Sequence, residues 1–178
     1  QKSIQIESQF PNVKKVYCDF TDSISVVSLC ELITEKELDI VVNNAISSFS
    51  LKHFHKNSIE DVSNGFTFNI APVMNILLNS VKEFRKRKKG KIVNVLSSYT
   101  FDTPPLGCSL YVAEKKYLAS ISKSIANENN KFNIQTNCVS PSFMKTDMNS
   151  KVDSRILEDI EKGAPQKKLL STQDVADY

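Results

Sequence analysis

Four short runs rich in β-branched residues, each followed by a stretch with a helical apolar stripe, constrain this chain more than any other feature. The runs lie at 13–20 (VKKVYCDF), 38–45 (LDIVVNNA), 91–96 (KIVNVL) and 133–139 (NIQTNCV). Between and after them, apolar residues recur at three- and four-residue steps over 23–36, 58–86 and 109–129, with a shorter helical stretch at 154–161 and a capped helix beginning at Ser171. Strands alternating with helices read as parallel neighbours joined by crossovers, and so as a doubly wound α/β sheet with helices on both faces. The 38–45 run has the length and β-branched content of a strand buried on both sides.

In such a sheet, ligands bind beyond the carboxyl ends of the strands. Each run here ends in a polar cluster: Asp19-Phe20, Asn43-Asn44-Ala45, Ser97-Ser98 and Ser140-Pro141-Ser142. The 109–129 helix adds a reactive pair. Tyr111 and Lys115 are four residues apart and share a helix face. A cation about 5 Å from a phenol, at an effective dielectric of about 20, favours the phenolate by roughly 3 kcal/mol, or about two pKa units, before solvent screening. That pair is suited to proton transfer near neutral pH.

Composition narrows the alternatives. A chain of 178 residues with 40% apolar and 24% charged residues reads as one domain over 1–178. The net charge of +3 is too small to imply a polyanion partner. Seven cations fall in 82–91, but cations at a helix C-terminus complement its dipole, and Gly90 reads as the helix stop. The four cysteines show no C-x-x-C spacing, which favours reduced thiols in a cytoplasmic protein. No long apolar span suggests a membrane, and the two histidines, at 53 and 55 in a polar stretch, give little support for a metal site.

Taken together, the motifs resemble the short-chain dehydrogenase/reductase family, most closely its bacterial 3-oxoacyl-carrier-protein reductases. Asp19 matches the family's acidic residue after the third strand, Asn43-Asn44-Ala45 its Asn-Asn-Ala-Gly, and Asn69 its mid-helix asparagine. Ser98, thirteen residues before Tyr111, matches its serine; Tyr111 and Lys115 match its Tyr-x-x-x-Lys, and residues 141–146 its Pro-Gly-x-x-x-Thr. The resemblance implies an NAD(P)-dependent oxidoreductase interconverting a carbonyl and a secondary alcohol. Tyr111 would be the acid/base, Lys115 would lower its pKa and bond the nicotinamide ribose, Ser98 would stabilise the alkoxide, and Asn69 would hold a water reaching Lys115. Asp19, Phe20, Asn43 and Ala45 would face the adenosine side, and Pro141, Ser142 and Thr146 the nicotinamide and diphosphate. The family's usual association surface, helices 58–86 and 109–129, implies a homodimer or homotetramer.

The chain departs from the family pattern in places. Ile46 and Ser142 stand where the family has glycine, and Glu114 stands where a small residue is common beside Lys115. No Gly-x-x-x-Gly-x-Gly turn is present; the four glycines are at 65, 90, 107 and 163. The expectation is therefore a chain lacking a first βαβ unit of about 30 to 45 residues, and a last strand after Tyr178. The residues that select NAD or NADP belong to that missing unit, so the choice of cofactor stays open. Lys151, Arg155, Lys162, Lys167 and Lys168 suit an anionic or carrier-bound substrate, and a solvated helix face accounts for them equally. The alternative to an enzyme is a non-catalytic binding or regulatory protein on the same scaffold.

Overall fold

A computed structural model gives the fold, and it describes residues 10–46, 51–144, 146 and 152–178. Lys145 and Lys151 lie outside the described residues. Strands β1 (Ile40–Asn43), β2 (Gly90–Val95) and β3 (Ile134–Val139) form one parallel sheet in the order β1-β2-β3. Val41 pairs with Ile92, and Ile92 with Thr136. The helices are α1 (Ser23–Glu35), α2 (Ile59–Gly65), α3 (Ala71–Arg87), α4 (Ser109–Asn129), α5 (Ser154–Gly163) and α6 (Thr172–Asp177).

One apolar core joins three of these helices to the sheet. Val26, Cys30 and Ile33 of α1, Val73, Leu77 and Phe84 of α3, and Leu118 of α4 close on Val41, Ile92 and Ile134. Each fully buried aliphatic side chain contributes about 1.5–3 kcal/mol, so this layer holds the strand ends in place. The opposite face is open among the described residues: Ile40 and Val42 are 54% and 59% exposed. The parallel order matches the doubly wound expectation, and the 38–45 run is covered on one side only.

The predicted strand at 13–20 is absent. Phe10, Val13, Val16 and Tyr17 are exposed, and this stretch has no place in the β1-β2-β3 ladder. A strand without a neighbour has no pairing for its N–H and C=O groups, so apolar content alone does not make one.

The helix expected over 58–86 is interrupted. Ser58 and Asp61 form a capping box that starts α2. A π-helical turn (Phe66–Ile70) then precedes α3, with the Ala71 N–H reaching Phe66 O, five residues back. Pro72 explains the break: it has no N–H to donate to the preceding turn, and its ring crowds the carbonyl four residues earlier. The wider turn carries Asn69 and buries it.

Gly90 has a different job from the expected helix stop. Lys88 takes the left-handed conformation at φ 54° and closes α3 by donating its N–H to Phe84 O. Gly90 opens β2 against Phe84, where a Cβ would run into the aromatic ring.

Candidate active site

A cavity of about 350 Å³ opens at the carboxyl ends of the strands. Asn44 reaches it from beyond β1, Ser97 from beyond β2, and Pro141, Ser142 and Thr146 from beyond β3. Tyr111 and Lys115 enter from the first turns of α4. These helix positions were legible in the sequence, because α4 spans the same residues as its apolar stripe.

Lys115 is 8% exposed, and its Nζ donates to Val95 O at 2.8 Å, which ties the ammonium to the last residue of β2. The same Nζ lies 5.9 Å from the Tyr111 ring centroid. Burial pushes the Lys115 pKa down, and the neighbouring Glu114 carboxylate opposes that. Burial pushes the Tyr111 phenol up, and a hydrogen bond with the Ser97 hydroxyl works against the rise. The direction is opposite to the lowering expected from Lys115. Desolvation of the phenol sets the direction, and the ammonium is directed at a backbone carbonyl.

The hydroxyl that meets Tyr111 belongs to Ser97 rather than Ser98. Ser97 is still extended, at φ −158° and ψ 146°, so it keeps the alternation of β2 and shares the cavity with Val95. It is buried, and its oxygen accepts the Tyr99 N–H at 3.4 Å. Ser98 begins a single 3₁₀ turn (Ser98–Thr100), and its N–H donates to Pro141 O at 2.9 Å, joining the loops beyond β2 and β3. Counting thirteen residues back from Tyr111 selected Ser98; following the strand alternation forward from Val95 would have selected Ser97.

Asn69 sits apart from the cavity lining. Its Nδ2 donates to Glu114 Oε2 at 3.0 Å, linking the π turn to α4 one residue before Lys115. Asn43 likewise turns away: its Nδ2 donates to Asn94 Oδ1 at 2.7 Å, and Asn94 Nδ2 donates to Ser122 Oγ at 2.7 Å. This buried chain ties β1, β2 and α4 together beneath the site. Asp19 is occupied locally, its carboxylate accepting the backbone N–H and hydroxyl of Thr21, both at 2.8 Å, and these bonds hold its pKa down. Phe20 packs against the core, and Ala45 is exposed. Of the predicted residues, the cavity therefore gathers Tyr111, Lys115, Pro141, Ser142 and Thr146, and it adds Ser97 and Asn44. Asp19, Phe20, Asn43, Ala45, Asn69 and Ser98 are not on its wall.

The described residues contain no cluster of three metal-ligating side chains and no helix long and apolar enough to cross a membrane. Fold and site together define a Rossmann-like α/β domain with a tyrosine–lysine pair at the strand ends. The chain belongs to the short chain dehydrogenase family, whose model matches residues 2–156. It is 32% identical over 144 residues to 2,3-dihydro-2,3-dihydroxybenzoate dehydrogenase of Escherichia coli (strain K12), covering 80% of this chain and 57% of that one. It is 29% identical over 140 residues to the 3-oxoacyl-(acyl-carrier-protein) reductase FabG of Chlamydia muridarum, covering 78% and 55%. The chain thus spans little more than half the length of these two relatives. Among solved structures, ElxO with NADP bound superposes with a TM-score of 0.84 at 27% identity, over 99% of this chain and 74% of that one.

Proposed function

We propose that the cavity interconverts a carbonyl group and a secondary alcohol with NAD or NADP as redox partner. The single observation that carries this is the convergence of the Tyr111 phenol, the Ser97 hydroxyl and the Lys115 ammonium at one sheet rim. In the reducing direction Tyr111 gives its proton to the carbonyl oxygen, and in the oxidising direction it takes the alcohol proton. Ser97 supplies a hydrogen bond to the oxygen as negative charge develops there, in the role assigned by spacing to Ser98. Lys115, steadied by Val95 O, presents its remaining N–H groups to the cavity, where its positive charge favours the phenolate form of Tyr111 against the burial that opposes it. Asn69 and Glu114 brace the helix behind Lys115, where a water held by Asn69 would connect the ammonium to solvent.

The residues present fit the nicotinamide half of a dinucleotide. Lys115 and Tyr111 suit its ribose, and Asn44, Pro141, Ser142 and Thr146 supply polar groups around its carboxamide. When bound, the dinucleotide supplies or accepts the hydride. On the adenosine side, the Asp19 and Asn43 side chains are already hydrogen-bonded within the fold, so Ala45, Phe20 and the backbone of Asn43 are what this stretch offers. NADP-bound relatives of similar fold support this pairing. An assembly of two or four copies through helices 58–86 and 109–129 is part of the proposal; exposed Phe66 and Tyr117 meet edge to face there, with centroids 6.0 Å apart.

The test is titration of NADH and NADPH by their fluorescence, followed by carbonyl-dependent loss of the reduced dinucleotide. Binding with turnover supports the proposal. Binding without turnover on any carbonyl favours the second reading, a non-catalytic binding protein. That reading draws on the upward shift of the Tyr111 phenol and on the carboxylate of Glu114 beside Lys115.

A further inference from the structure

We infer that the cavity takes a carbonyl compound with an uncharged, apolar body, such as a fused-ring ketone or its alcohol, rather than an anionic acid. This rests on the reading of the site as one for carbonyl chemistry. Ile156 and Ile160 lie one turn apart on α5 and so share a face; with Val152 just ahead of the helix they line the cavity. Leu51 and Leu106 line it from two loops. Leu51, Leu106 and Ile156 are 66%, 83% and 54% exposed, so the apolar wall faces water in the chain alone.

Charge is arranged the other way. Lys115 is the charged side chain among the described residues on the wall, and it is already bonded to Val95 O. Of the cations expected to meet an anionic substrate, the described ones, Arg155, Lys162, Lys167 and Lys168, do not line this cavity. Lys162 pairs with Glu158 at 3.7 Å along α5, Lys167 Nζ donates to Lys162 O at 2.6 Å, Arg155 is exposed, and Lys168 lines a neighbouring groove. A carboxylate placed against the isoleucine wall would lose its water and find no cation among the described residues of that wall to replace it, whereas an apolar body releases water from both surfaces.

The experiment is calorimetric titration of the full chain with α-tetralone, an uncharged fused-ring ketone, and with 2-oxoglutarate, an anionic keto acid. Both are repeated on Ile156→Glu, Leu106→Glu and the control Glu161→Gln. Both wall positions are exposed, so a carboxylate there is compatible with folding, and a thermal melt checks it. α-Tetralone is expected to bind, to weaken about tenfold or more in the two wall variants, a loss of about 1.4 kcal/mol or more, and to be unchanged in the control. Tighter binding of 2-oxoglutarate, no binding of α-tetralone, or indifference to both wall variants would overturn the inference. Turnover separates the two readings. Turnover of 2-oxoglutarate alone overturns the apolar class and leaves the carbonyl chemistry; wall-sensitive α-tetralone binding without turnover on any carbonyl keeps the class and removes the chemistry.

Discussion

Asn69 Nδ2 donates to Glu114 Oε2 at 3.0 Å, joining two helical segments that are 45 residues apart in sequence. Gly65 makes the contact feasible, because a Cβ at that position would collide with the Glu114 carboxylate. The residue that departs from the family pattern beside Lys115 is therefore built into the fold, with a glycine that clears its space and an amide that binds it.

The first prediction is a coupling between positions 65 and 114. Gly65→Ala in a helix gains up to about 1 kcal/mol from backbone entropy, but here the methyl displaces a carboxylate that Asn69 holds. Gly65→Ala is expected to destabilise the wild-type chain and to stabilise Glu114→Ala, with a coupling of about 1–2 kcal/mol. Denaturant midpoints of the four proteins measure it, and additive effects would show that the contact carries no energy.

The second prediction concerns pH. Burial raises the Glu114 pKa, against the Asn69 hydrogen bond and the Lys115 charge. A carboxyl whose folded pKa lies above its unfolded value, about 4.3 for Glu, keeps its proton longer in the native state. Its contribution to stability is present in full below the unfolded value and is lost as pH rises through the folded one. Glu114→Gln lacks this titration. Its melting temperature should gain on that of the wild type as pH rises from the unfolded value of about 4.3 through the raised folded one; a constant difference would mean that Glu114 titrates normally.

The third prediction concerns the polar chain beneath the site. Asn94 is fully buried, accepts from Asn43 and donates to Ser122. Asn94→Leu keeps the branched outline but removes the acceptor for the Asn43 amide and the donor to Ser122. A loss of about 2–4 kcal/mol is expected, read by chemical denaturation. A loss within about 0.5 kcal/mol would place the strength of the sheet elsewhere.

Much of this was legible in the sequence because it is local. The apolar stripe over 109–129 and the four-residue step from Tyr111 to Lys115 fix where α4 lies and which face meets the site. Three of the four strand-end clusters marked the right rim, through Asn44, Ser97, Pro141 and Ser142, and Asp19-Phe20 did not. What failed depended on neighbours. Residues 13–20 have strand composition, yet among the described residues no strand stands beside them to pair with. Asn43 was expected to face a ligand, but Asn94, 51 residues away, claims its amide. Spacing pointed to Ser98, whereas Ser97, in step with the alternation of β2, is the serine on the cavity wall and beside Tyr111. Lys115 was expected to tune Tyr111, but a backbone carbonyl and desolvation decide both groups.

The central claim is that Tyr111, backed by Ser97, moves the proton in a carbonyl–alcohol reaction. The most direct test is steady-state reduction of one accepted carbonyl substrate by the wild type, Tyr111→Phe, Ser97→Ala and Ser98→Ala, with dinucleotide affinity and melting temperature measured on the same samples. Tyr111→Phe and Ser97→Ala should each lower kcat by about 10²-fold or more while binding and folding are retained, and Ser98→Ala should stay within a few-fold of wild type. Full activity in Tyr111→Phe, or a loss in Ser98→Ala with none in Ser97→Ala, would contradict the account.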